Sequence, residues 1–99
     1  MPKSERYIYM ASVMKALAHP TRLFIVDSLN ESPKNVSDLT SLVGIDISTI
    51  SRHLGILKAA GIIGATKTNN QIIYRLLCPC VLDMYKCVVQ IKAQEVNPQ

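Results

Sequence analysis

Apolar residues recur along the chain with a helical period that proline, glycine and asparagine interrupt. In residues 5–18, Tyr7, Met10, Ala11, Met14, Leu17 and Ala18 fall at i, i+3, i+4, i+7, i+10 and i+11, one stripe of an amphipathic helix. Ser4 stands where an N-cap belongs. His19-Pro20 breaks the pattern, and Pro20 suits the first turn of a second helix over residues 21–29. Leu23, Ile25, Val26 and Leu29 supply the buried side of that helix, and residues 30–34, with Pro33, predict a turn. Asn35-Val36-Ser37-Asp38 reads as an N-cap followed by an acid at the third helical position. The short helix it opens ends at Gly44. Asp46 opens the next, whose apolar positions Ile50, Leu54 and Leu57 follow i, i+4, i+7 until Gly61 stops it.

Two short helices joined through Gly44 form a helix-turn-helix signature over residues 36–59. The second helix turns Ser48, Thr49, Ser51, Arg52 and His53 largely away from its apolar stripe. That face is small, polar and basic. A helix that enters the major groove needs those properties, because acids repel phosphate and bulk clashes. Residues 62–67 and 71–76 then read as strands around a hairpin turn at Asn69-Asn70. A hairpin directly after a recognition helix is a wing, spanning residues 62–77, whose Lys67 and tip amides would meet backbone phosphate or the minor groove. The last helix, residues 79–95, keeps only a narrow polar stripe of Asp83, Lys86, Gln90 and Gln94. A helix apolar on more than one side is buried on more than one side. In a 99-residue chain, a second copy most simply supplies the extra surface. The pattern therefore predicts a single domain over residues 1–99, mainly α with a small β-hairpin. It also predicts a winged helix-turn-helix homodimer assembled through residues 1–18 and 79–95.

Composition narrows the function further. A mass of 11.0 kDa allows one modest core, and 48% hydrophobic residues with a mean hydropathy of +0.19 exclude a disordered chain. No apolar run approaches the ~18 residues of a membrane span. The start loosely imitates a signal peptide, with Lys3 and Arg6 ahead of apolar residues, but its helical period favours a mature helix. Three cysteines without an export signal point to the cytoplasm and to free thiols. The formal net charge is +4, and residues 47–82 hold no acid while carrying Arg52, Lys58, Lys67 and Arg75. The other seven basic residues balance the seven acidic ones, so the whole excess lies in that stretch. Such one-sidedness attracts polyanions, although a solvated basic face fits charge alone. With no paired acid and base around a nucleophile and no glycine-rich loop, nothing suggests an enzyme.

Together these segments resemble the ArsR/SmtB family of repressors over residues 10–90. Ala16-Leu17-Ala18-His19-Pro20-Thr21-Arg22-Leu23 is similar to the family's entry into its second helix. Val36-Ser37-Asp38-Leu39 and Gly44-Ile45-Asp46-Ile47-Ser48-Thr49-Ile50-Ser51-Arg52-His53-Leu54 resemble its helix-turn-helix, and Leu57-Lys58-Ala59-Ala60-Gly61-Ile62-Ile63 its lead into the wing. The resemblance implies a dimeric repressor that leaves double-stranded operator DNA when an inducer binds. Carried onto this sequence, the DNA-binding residues are Ile47, Ser48, Thr49, Ser51, Arg52, His53, Lys58, Lys67, Asn69 and Asn70. Ile47 replaces a frequent polar residue and suits a thymine methyl; Gly55 replaces a common Lys, and the tip Thr68-Asn69-Asn70 carries little charge.

Cys78, Cys80 and Cys87 are the candidates for inducer chemistry. The family's arsenical site before the recognition helix uses cysteines where this chain has Asn35 and Ser37. Its zinc and nickel or cobalt site on the last helix needs histidine, and here that helix offers Asp83 but no histidine. Thiolates remain, and they favour soft ions. Cys78 and Cys80, flanking Pro79 in an expected extended segment, would share one side. Cys80 and Cys87 would lie about 10 Å apart along one helix face, whereas two thiolates on one ion sit within about 4.6 Å. The third ligand would then need local unwinding or Cys87 of a second subunit. The expected inducer is As(III) or Sb(III), or a soft divalent ion such as Cd(II). Thiol oxidation or persulfide formation at Cys80 is the rival, and inert cysteines in a constitutive DNA-binding protein the third reading. DNA binding itself is expected to need no cofactor.

Overall fold

A computed structural model describes residues 4–96, with side chains to residue 93. Five helices carry a small antiparallel sheet: α1 (Glu5–Leu17), α2 (Pro20–Glu31), β1 (Lys34–Asn35), α3 (Val36–Val43), α4 (Ile47–Ala59), β2 (Ile63–Thr68), β3 (Gln71–Leu76) and α5 (Leu82–Val96). A 3-10 turn over Pro79–Val81 precedes α5. The sheet runs β1-β3-β2, with Ile63 opposite Leu76 and Thr68 opposite Gln71 in the hairpin. This is a winged helix-turn-helix.

Local chemistry explains the boundaries. The Asn35 side chain accepts from the Asp38 N–H at 2.7 Å and starts α3. Gly44, at φ 82°, takes the left-handed position that ends it. The Asn69 and Asn70 φ angles of 49° and 67° match the mirror-image turn that fits the right-handed twist of a tight hairpin. Ser4 occupies the N-cap of α1 but makes no side-chain cap hydrogen bond. Residues 30 and 31 continue α2, and Lys34–Asn35 pairs with Tyr74 and Ile73, so the expected turn is shorter and leads into a strand.

The core gathers Leu17, Ile25, Val26, Leu29, Leu39, Ile50, Leu54, Leu57, Ile62 and Ile63. It belongs to the end of α1, to α2, α3 and α4, and to the base of the wing. Leu23, expected on the buried side of α2, is 38% exposed. Three residues per turn of α2 cannot all face one small core, and Leu23 falls toward α5 instead. In α1 only Ala16 and Leu17 are buried, and no residue among 82–93 of α5 is. Tyr7, Met10, Met14, Val88, Val89 and Ile91 therefore lie open on the two terminal helices. Tyr85 ties α5 to the body by donating its hydroxyl to the Leu23 carbonyl at 2.7 Å. Among the described residues, no helix is long and apolar enough to cross a membrane.

Candidate nucleic-acid interface

Helix α4 is anchored at its start and along one side. Asp46 accepts from the Thr49 N–H at 3.1 Å and from the Thr49 hydroxyl at 2.7 Å. These hydrogen bonds, the side-chain one first, hold the Asp46 carboxyl below its ordinary range and keep it ionised as the cap. Ile50, His53, Leu54 and Leu57 form the buried side. Ile47, Ser48, Ser51 and Arg52 are exposed, with Gly55 open beyond them, so the outer face is low and carries no acid. Lys58 is exposed, seven residues and about 10 Å further along from Ser51. Thr49 is only half-exposed, with its hydroxyl committed to the cap.

The wing stands beside this face. Lys67, Asn69 and Asn70 are all exposed at or next to the hairpin tip. The Asn35 amide donates to Gln71 at 3.4 Å and links the start of α3 to the tip end of the wing. Between them lies a groove of about 360 Å³ whose walls include Asn35, Ser37, Ser51, Asn70, Gln71 and Tyr74. Sequence reading missed Asn35, Ser37, Gln71 and Tyr74 as members of this surface. The signal available was pairing of β1 with β3, which a two-residue strand scarcely announces.

His53 is the correction. It is 4% exposed, and its ring centroid lies 4.5 Å from that of His19. Its Nδ1 sits 3.1 Å from Arg22 Nη1. Burial, then the neighbouring His19, Arg22 and Arg52, push its pKa below the usual histidine range. The ring faces the core, not the groove side. Position 53 is i+3 from Ile50, on the same helical face, and the polar residue type masked that geometry.

The thiols also depart from expectation. Cys78 is half-buried and donates weakly to the Gly61 carbonyl at 3.8 Å, where the loop after α4 meets the end of the wing. Cys80 is exposed in the 3-10 turn, so the segment around Pro79 is curled instead of extended. The proline ring fixes φ near −65°, which suits a helical turn as well as an extended strand. Cys87 is exposed on α5. Among the described residues, no three of His, Cys, Asp and Glu approach closely enough to hold one metal ion. The donors of one chain therefore do not make the three-thiolate site.

Comparison with known proteins gives consistent matches. Residues 19–64 match the family described as bacterial regulatory protein, arsR family. The chain is 32% identical to Rv0081, an uncharacterized HTH-type transcriptional regulator of Mycobacterium tuberculosis (strain ATCC 25618 / H37Rv), over 98% of this chain and 86% of the relative. The crystal structure of Rv0081 superposes with a TM-score of 0.80 at 30% identity, covering 96% of each chain. A biofilm growth-associated repressor of Xylella fastidiosa is 39% identical over 68% of this chain and 59% of its own. NolR from Sinorhizobium fredii has a TM-score of 0.80 at 28% identity, over 92% of this chain and 95% of that one.

Proposed function

The chain belongs to the arsR family of bacterial regulatory proteins, and on that premise we propose that it is a homodimeric repressor that grips operator DNA and is released by thiol chemistry. Members of the family are transcriptional regulators and not enzymes. The observation that carries the reading is the exposed, acid-free face of α4, with Ile47, Ser48, Ser51 and Arg52 beside the Lys67–Asn70 wing tip. A face of that shape enters the major groove, while the groove beside it, where Asn35, Ser37, Ser51, Asn70 and Gln71 stand among Val36 and Ile72, takes a sugar–phosphate backbone.

Dimerisation follows from the open apolar surface of α1 and α5. Val88, Val89 and Ile91 are 60–67% exposed, and Leu17, Leu23, Met84 and Tyr85 continue that surface as an apolar groove of about 250 Å³. A patch of this kind is covered in a stable soluble protein. Two-fold pairing across it would set two copies of α4 about one helical turn of DNA apart.

Inducer chemistry falls to Cys78, Cys80 and Cys87. Cys78 touches the Gly61 carbonyl, so a change at its sulfur reaches the joint between α4 and the wing. A trivalent arsenic or antimony ion, or a soft divalent ion, would need thiolates from both subunits, because one chain does not assemble them. Oxidation or persulfidation needs only the exposed Cys80 or Cys87.

The test uses reduced protein and a duplex chosen by the protein itself from a random-sequence library. Release by As(III) with two ions per dimer, one for each set of three thiolates, supports the ion arm, and release by peroxide or polysulfide alone supports the redox arm. Release that persists when all three cysteines are replaced by Ser refutes both, and an absence of any selected duplex refutes the repressor reading.

A further inference from the structure

A partly buried polar joint lies on the side of α4 opposite the DNA-facing residues. Arg22, on α2, divides its guanidinium between two other helices. Its Nε donates to the Ala16 carbonyl at the end of α1, and its Nη1 lies 3.1 Å from His53 Nδ1 in α4. His19 caps α2 by accepting from the Thr21 N–H at 3.1 Å, and its ring packs against that of His53. Three helices thus meet at one imidazole: α1 by the carbonyl that Arg22 holds, α2 by Arg22 and His19, and α4 by His53 itself.

The chemistry of the contact fixes the protonation state. Arginine only donates, so Nδ1 of His53 must be the bare acceptor and Nε2 must carry the proton of the neutral ring. Protonated His53 would set an Nδ1–H against an N–H donor, on a ring that is only 4% exposed. The titratable and charged groups around it are His19 and Arg22 from α2 and Arg52 from α4, while Lys15 of α1 lines the cleft next to Arg22. None of these is acidic, and among the described residues no carboxylate hydrogen-bonds to His19, Arg22 or His53. Nothing in this set would compensate a charge on the ring.

We propose that the Arg22–His53–His19 joint holds the recognition helix at its DNA-binding angle against α1, and that acid opens the joint by protonating His53. The inference rests on the DNA-binding reading above. Ile50, Leu54 and Leu57 keep α4 in the core, so an open joint re-aims the helix without unfolding it. Since α1 belongs to the open apolar surface and Ser48, Ser51 and Arg52 belong to α4, the joint also joins the pairing surface to the DNA-reading one. The operator-bound orientation needs the closed, neutral joint, whereas the free protein tolerates the open one. Protons therefore favour the free protein.

The experiment measures fluorescence anisotropy of a labelled duplex, selected from a random library by the wild-type protein at pH 7.5, at constant ionic strength from pH 7.5 down to 5.5. Wild-type affinity should fall by about tenfold or more, because each dimer closes two joints and each proton held only by the free protein weakens binding. His53→Asn keeps an acceptor oxygen near the Nδ1 position and cannot titrate, so its affinity should fall less than about threefold. Equal profiles for wild type and His53→Asn overturn the joint alone, and a wild type that selects no duplex removes the DNA-binding reading with it. Should His53→Asn not fold by circular dichroism, long-range 1H–15N spectra of the wild type decide. An Nε2–H tautomer whose protonation midpoint coincides with the loss of affinity supports the joint. An Nδ1–H tautomer, or a midpoint away from that loss, overturns it.

Discussion

Arg52 offers the sharpest handle on the electrostatics of binding. It is exposed on the outer face of α4 and supplies one cation per protomer, hence two per dimer. Each phosphate neutralised contributes about 0.9 to the slope of log K against log salt on duplex DNA. If both copies of Arg52 meet phosphate, Arg52→Ala makes that slope shallower by about 1.8. Between 50 and 200 mM salt, the wild type should then lose about tenfold more affinity than the variant. The assay is a salt series of anisotropy titrations on one selected duplex, with the thermal midpoint measured in parallel. Because the residue lies on the surface and away from the core, the midpoint should stay within the error of the wild type. An unchanged slope would show that α4 does not present this face to DNA. A changed midpoint would show that Arg52 supports the fold, and the affinity loss would lose its electrostatic meaning.

Three further outcomes follow from particular contacts. Gly55 lies inside α4, and a Cβ there meets nothing within 4 Å; Gly55→Ala should stabilise the fold by about 0.5–1 kcal/mol, read as a raised denaturant midpoint. Burial first, and then Asp27, push the Tyr85 hydroxyl up to about 12. The folded state thus retains this proton longer than the unfolded one, so its contribution is complete below pH ~10 and lost as pH rises toward 12. Given the partial exposure of Tyr85, about 1 kcal/mol of stability should disappear over that window in the wild type and be missing from the Tyr85→Phe profile. Val88 is 60% exposed on α5; Val88→Asp would place an unpaired charge in the pairing surface. Light scattering should find monomers, and affinity for the duplex should fall by about a hundredfold or more, as linked binding of two half-sites is lost. A Val88→Asp protein that remains dimeric would refute pairing through this helix.

The parts of the fold that could be read from the chain are those governed by local chemistry. Asn35 and Asp46 each cap a helix through a side-chain oxygen, Gly44 and Gly61 take left-handed positions, and Asn69-Asn70 turns the wing. None of these depends on a distant partner. What escaped notice depends on tertiary pairing. Strand β1 is two residues long and exists because Lys34 and Asn35 find Tyr74 and Ile73 about 40 residues away. Leu23 is apolar yet open, because Tyr85 and Val88 of α5 are beside it instead of the core. His53 fits the i, i+3, i+4, i+7 stripe with Ile50, Leu54 and Leu57. Only the presence of Arg22 and His19 makes a buried imidazole there affordable. For the candidate interface, the exposed face of α4 and the wing tip were visible as a run without acids. The floor of the groove at Asn35, Ser37 and Gln71 was not, since it joins segments far apart in sequence. The curl of the segment that carries Cys80 was equally hidden, because proline permits both the extended and the turned path.

The central claim is that two copies of α4 read one duplex together. Hydroxyl-radical footprinting of the wild-type protein on a selected duplex tests it most directly. The account predicts two protected patches on the same face of the duplex, about 10 base pairs apart between centres or at a multiple of that spacing. A single patch, or two patches on opposite faces, would contradict it.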